Sequence, residues 1–328
     1  MRHFAKAALD LAAGTFTPAL TRVRGCTLIL CYHRIREDVP PDPFASPVTT
    51  VPLEALRRQL EWLGGFARFI TLDEILEHPQ ATGWRIAVTF DDGYRDNIEL
   101  GEPLFRRLGI PVSWFIVSDF ARDPQRLPWW DLAAFLDHLR DGEMVVETTP
   151  SESRRLDLSR DPDRRWLQDA LHRYNRQGPH EGAVSFTNQV RAGLEKVCDL
   201  PPNGMARPEE LQAAHHRGIF RFGCHTASHP NLALLPTATQ REEILGCQRQ
   251  LEAWSLQPIP WFAYPFGKST WRSEETPRII EDSGFRGALT TRPGSIVPGS
   301  EPYALPRLSV DGRWPLSRFK TRILFVRG

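Results

Sequence analysis

Two imidazoles and two carboxylates stand out by their spacing. His225 and His229, in "HTASHP", are four residues apart. Two imidazoles at that interval can grip one divalent ion from a single helical turn or tight loop. A carboxylate would complete a two-histidine, one-carboxylate site with open positions for substrate. Asp91 and Asp92, in "AVTFDDGYRDN", stand side by side after an apolar run and before Gly93. Adjacent carboxylates repel each other. If Asp92 binds the ion, the cation offsets its charge and Asp91 stays ionised as a general base. Alone, "DDG" reads as a turn and H-x-x-x-H as surface or capping histidines. The apolar strand before the histidines, and Cys224 and Pro230 around them, favour a metal.

These residues need a scaffold. "CTLILCYHRI" (26–35), "RIAVTF" (85–90), "IPVSWFIV" (110–117), "IFRFGCH" (219–225), "WFAYPFG" (261–267), "RGALTT" (286–291) and "YALPRLSV" (303–310) read as strands. Helical spacing recurs between them, at 53–65, 97–109, 207–218, 239–255 and 276–285. That alternation predicts a parallel α/β architecture. In α/β barrels the functional groups sit at the carboxyl ends of strands. Those ends hold His33, Asp91, Asp92, His225, His229, "YPFG" and Arg307. Residues 121–205 are polar and charged, and predict a mostly helical insertion. It divides the scaffold into 26–120 and 206–312. Residues 1–25 read as an amphipathic helical extension rather than a signal peptide, because Asp10 interrupts the apolar stretch. Residues 313–328 form a basic tail, most simply a final helix, which also suits peripheral contact with an anionic membrane.

"TFDDGYRDN", "HTASHPNL" and "FAYPFG" together resemble the first three motifs of the polysaccharide deacetylases. This is the family with the NodB homology domain, carbohydrate esterase family 4. The order and spacing fit, and the resemblance extends from Cys26 to Val310 through "YHRI", "PWWD", "DSGFRGALTT" and "LPRLSV". It implies a distorted (β/α) barrel and metal-dependent removal of N-acetyl groups from amino sugars. Asp92, His225 and His229 then resemble the metal ligands, for zinc or alternatively Co2+, Ni2+ or Fe2+. Asp91 resembles the base that activates the attacking water. The backbone N–H of Phe266, where the family usually has Tyr, would help hold the oxyanion. Tyr264 and Pro265 complete that substrate-facing motif, and Trp129 and Trp130 are candidates to stack on a sugar.

The sequence departs from the family pattern twice. Ala263 stands where many members carry an arginine that pairs with the base, and "LPRLSV" offers Arg307 where many have a late histidine. Arg307 is expected to take over the orienting role. The proton for the leaving amine would come from His33, from the water by way of Asp91, or from the substrate.

The bulk composition narrows the alternatives. A net charge of +1 provides no field for a polyanion such as nucleic acid. The five cysteines, Cys26, Cys31, Cys198, Cys224 and Cys247, show no CxxC spacing and predict reduced thiols. With the absence of a signal peptide, they predict a cytoplasmic protein, peripheral to a membrane at most. Its substrate would be an N-acetylated precursor or lipid-linked saccharide. A glycosidase needs two carboxyls about 5–9 Å apart across a bond, which sequence neighbours rarely provide. A non-catalytic saccharide-binding protein is the rival, but binding alone does not require a base beside the metal.

Overall fold

The apolar runs become strands of one parallel sheet. The computed structural model describes residues 26–37, 43–80, 82–149 and 152–326; the helix expected over 1–25 lies outside them. The sheet is built from β1 (Thr27–Tyr32), β4 (Ala67–Phe69), β5 (Trp84–Phe90), β6 (Val112–Ile116), β9 (Phe220–Cys224), β10 (Trp261–Ala263), β11 (Gly287–Leu289) and β12 (Leu308–Ser309). A small parallel pair, β2 (Arg34–Arg36) and β3 (Thr50–Pro52), lies beside it, and a hairpin of β7 (Glu143–Thr149) and β8 (Glu152–Asp157) lies in the insertion. The main sheet runs β11–β10–β9–β6–β5–β1–β12, with β4 added along β5. Its pairings are all parallel. β1 and β5 are buried at every position, as strands covered on both faces must be.

Side-chain alternation divides the sheet into an inside and an outside. Ile29, Ala87, Phe115, Ala263 and Leu289 share one cluster, the filling of the curl. Their neighbours Leu28, Leu30, Ile86, Val88, Phe90, Val112 and Trp114 join the larger core beneath the helices. The inner filling is tight: a Cβ on Gly223 would approach the Phe115 ring at 2.4 Å. The curl closes through one short segment. Leu305 bridges to Leu289 of β11, and three residues later Leu308 pairs with Leu30 of β1. The result is a curled (β/α) barrel ringed by helices. Arg307 is carried on the segment that joins its two edges.

The surrounding helices are α1 (Leu53–Gly64), α2 (Asp73–Glu77), α3 (Glu102–Leu108), α4 (Ser118–Arg122), α5 (Trp129–Phe135), α6 (Asp161–Gln177), α7 (His180–Leu194), α8 (Pro208–His216), α9 (Thr237–Ala253), α10 (Thr276–Asp282) and α11 (Leu316–Leu324). α5, the β7–β8 hairpin, α6 and α7 share a second core around Leu132, Val146, Leu156, Leu167 and Phe186. The insertion is therefore helical with a hairpin. β8 exposes its first four residues, Glu152–Arg155, so the sequence carries no alternating apolar signal for it. The last strand is also shorter than expected: Pro306 has no N–H to donate, and only Leu308–Ser309 remains extended in the sheet. The basic tail is not loose. α11 buries Phe319 and Ile323 against α1, so its apolar face is covered by the protein. No helix among the described residues is long and apolar enough to cross a membrane.

Candidate active site

The site forms where β1, β5 and β9 end. The inward row of β5 runs Ala87, Thr89, Asp91, so Asp91 caps the barrel filling. The chain then turns sharply, with Asp92 at φ 76° and Gly93 at φ 98°. After β9, His225 leaves the sheet and a left-handed Thr226 begins the loop that returns His229. Four of the five non-glycine residues with left-handed backbone among the described residues are Asp92, Thr226, His229 and Phe266. Such strain gathers where surrounding structure holds side chains against a function.

Asp92, His225 and His229 converge. Asp92 Oδ1 lies 3.6 Å from His225 Nε2 and 3.9 Å from His229 Nε2. Those separations are too long for hydrogen bonds. They suit two ligands on one ion at bond lengths of about 2.0–2.2 Å. His225 Nδ1 lies 2.8 Å from the Ala263 carbonyl, which fixes that nitrogen as the donor and leaves Nε2 a lone pair. Burial lowers both histidines, His229 the further, so both imidazoles are neutral, as ligands must be. Burial, then the charges of Asp91 and Asp131, push the Asp92 carboxyl well up. The charges of Arg307 and Arg34 only partly offset this, and a divalent ion among the three groups would favour the ionised form. The donor set therefore fits a divalent metal.

Asp91 has its own partner. Arg307 Nη1 and Nη2 donate to Asp91 Oδ1 and Oδ2, each at 2.7 Å. The guanidinium also donates to the Thr290 carbonyl at 3.0 Å and to Thr89 Oγ1 at 3.1 Å. Arg307 is completely buried. Burial pushes the Asp91 carboxyl up, but Arg307 and His225 outweigh it and hold it below the usual carboxylate range. Cys31 Sγ donates to Asp91 Oδ2 at 3.4 Å, a contact that the motifs alone do not reveal. Period-2 alternation from Ile29 points Cys31 inward and would have found it. Cys31, His33 and Asp91 also lie close enough to suggest a second ion, but Arg307 already holds both Asp91 oxygens.

The other expected residues divide. Trp130 sits over His229 with ring centroids 4.6 Å apart, and its indole N–H donates to Tyr94 Oη, which donates to Asp131. Phe266 packs on the other side of His229 at 4.9 Å. Trp129 is nearly buried and lies 6.4 Å from Phe266, a wall rather than an open platform. Pro265 is buried in the turn, and the Phe266 N–H donates to no protein acceptor among the described residues. Tyr264 is a correction. Its ring is 1 % exposed in the main core, and its hydroxyl donates to the Tyr303 carbonyl. Strand alternation turns it away from Ala263 and hence from the mouth. His33 is half-buried beside Asp91, and burial lowers it to about 4.

Two supports have little or no signal in the sequence. Thr226 Oγ1 donates to the His225 carbonyl at 2.6 Å and accepts from the His229 N–H at 2.9 Å, bracing both histidines with one hydroxyl. Glu243 of α9 accepts from the N–H and the hydroxyl of Ser228. "HTASH" carries the first as its second letter; Glu243 lies a helix away and has no local signal. If the three groups hold a divalent metal, Thr226→Ala is expected to weaken its binding about 10- to 100-fold, and Thr226→Ser to retain it. A competitive metal titration of the folded variants checks this.

Known proteins provide an independent view. The family model described as polysaccharide deacetylase matches residues 79–288. No curated protein matches. Among solved structures, a Streptococcus pyogenes deacetylase in complex with acetate superposes with a TM-score of 0.58 at 13 % identity, covering 92 % of this chain and 98 % of that one. IcaB from Ammonifex degensii gives 0.56 at 19 % identity, covering 92 % and 97 %. A polysaccharide deacetylase from Bacillus cereus gives 0.57 at 16 % identity, covering 91 % and 69 %. At these identities the structures speak for the fold. The family match covers more than half of the chain, from the approach to β5 into β11, and includes both the aspartate pair and the histidine loop. The chain belongs to the polysaccharide deacetylase family.

Proposed function

We infer that the protein hydrolyses N-acetyl groups on amino sugars of a polysaccharide, oligosaccharide or glycolipid, using a divalent cation held by Asp92, His225 and His229. One observation carries this reading: a buried carboxylate, Asp91, clamped by Arg307 and standing beside three converging ligand groups at the barrel mouth. A cation at these ligands supplies Lewis acidity for the acetamide carbonyl and for the attacking water. Asp91 takes the proton from that water. Arg307 keeps the carboxylate ionised and fixes its plane. The unengaged N–H of Phe266 is the donor offered to the developing oxyanion. Trp130 and Phe266 flank His229 and exclude bulk water from that side. His33 is unprotonated near neutrality, because burial lowers it to about 4. Asp91, at the same mouth, is placed to return to the leaving amine the proton it has taken.

The test is acetate release from a panel of N-acetylated glycans and glycolipids, with and without chelator. Release is expected to vanish on chelation and to return with added Zn2+, Co2+, Ni2+ or Fe2+. Release that ignores the chelator would overturn the metal mechanism.

A further inference from the structure

Arg176, a cation at the mouth, has no acidic partner among the described residues. Arg176 lies in the last turn of α6, and its side chain is exposed. Its guanidinium sits 5.6 Å from the ring centroids of both Trp129 and Phe266. It makes no ion pair or side-chain hydrogen bond among the described residues. The position is firmly held: the Arg176 carbonyl accepts from Asn231 Nδ2 at 2.6 Å, two residues beyond His229. Arg176 is thus fixed to the histidine loop and separated from His229 by a single aromatic ring. A narrow cleft of about 40 Å3 lies on the far side of Trp129 and His229, lined by Asn175, Gly178, His180 and Ser228 as well; Arg176 does not line it, and no carboxylate does. Lys268, directly after the Phe266–Gly267 turn, is likewise exposed and without an acidic partner among the described residues.

A cation–π approach to two rings uses none of the guanidinium's N–H donors, which stay available for an acceptor. Those donors match the paired oxygens of a carboxylate or phosphate. A neutral amino sugar provides hydroxyls and amides but no counter-charge. We propose that Arg176 recognises an acidic group, a phosphate or a carboxylate, carried by the saccharide next to the sugar whose acetamide is cleaved. This rests on the deacetylase reading and adds a substrate class to it: an anionic saccharide rather than a neutral polymer.

The test pairs binding with turnover. Matched N-acetylglucosamine oligosaccharides are prepared in neutral, phosphate-bearing and uronate-bearing forms. Their dissociation constants are measured by tryptophan fluorescence and their acetate release by a coupled assay, using the metal-loaded full chain. The expected result is tighter, salt-sensitive binding of one or both acidic forms. Arg176→Ala reduces the ratio of acidic to neutral affinity about 10- to 100-fold, and Arg176→Lys retains part of it. Arg173→Ala, one turn back on the exposed side of α6, keeps the wild-type ratio. The better-bound acidic form identifies the group. A wild type without preference, an Arg176→Ala variant with an unchanged ratio, or no binding of any saccharide overturns the proposal. Arg176-dependent binding without acetate release would strike the deacetylase reading and leave the anion site standing.

Discussion

Asp91→Asn is expected to lower acetate release about 100- to 10,000-fold while leaving metal content and saccharide affinity near the wild-type level. The amide is close to the carboxylate in shape and still accepts one hydrogen bond from Arg307. It cannot take a proton from water. The same change removes the counter-charge of a completely buried guanidinium, so stability should fall by about 3–5 kcal/mol. Activity must therefore be measured at a temperature where a denaturant titration shows the variant folded. A saccharide-binding protein without catalysis gives a different result: it has no turnover to lose, and Asp91→Asn leaves its affinity unchanged. A folded, metal-loaded Asp91→Asn variant with full acetate release would remove Asp91 from the base role.

How legible the site was follows from where each residue sits in the chain. Asp91, Asp92, His225 and His229 stand in short motifs at the ends of apolar runs, so local spacing and strand polarity were enough to bring them to one mouth. The long strands β1, β5 and β6 were legible because parallel strands buried on both faces read as unbroken apolar runs. β4, only three residues long, and β8, exposed along most of its length, gave no such signal. Tyr264 was misread because "YPFG" looks like a unit. The sheet separates its members, turning Tyr264 into the core and Phe266 to the mouth. Cys31, Thr226 and Glu243 act on other site residues rather than on substrate. Alternation turns Cys31 inward and the HTASH motif includes Thr226, but only the folded chain shows what each touches, and for Glu243 the partner is fifteen residues away.

Arg307→Ala is expected to have the second-largest effect, and its reason lies in how the barrel closes. Position 263, at the end of β10, holds an alanine, and its carbonyl holds His225. Arg307 reaches Asp91 from the segment that bridges β11 to β1, so the cation arrives by a different strand. Removing it leaves a carboxylate 2 % exposed with no counter-charge, a loss of about 3–5 kcal/mol. Stability then depends on pH with a definite sign. Burial raises the Asp91 carboxyl on folding, but the charge of Arg307, helped by His225, more than offsets it and leaves the group lowered. The pair therefore stabilises the protein fully above the ordinary carboxylate value of about 4, and that contribution fades as pH falls below it. A cation held at Asp92 would act in the same direction. Without Arg307, burial dominates, and the acidic limb of the rate profile should move to higher pH as Asp91 becomes harder to ionise. Arg307→Lys should recover part of the stability and most of the limb position, since it restores the charge without the paired geometry. An Arg307→Ala variant with wild-type turnover and an unmoved acidic limb would show that Asp91 is held by something else, and Thr89, the histidines and the cation would then have to account for its ionisation.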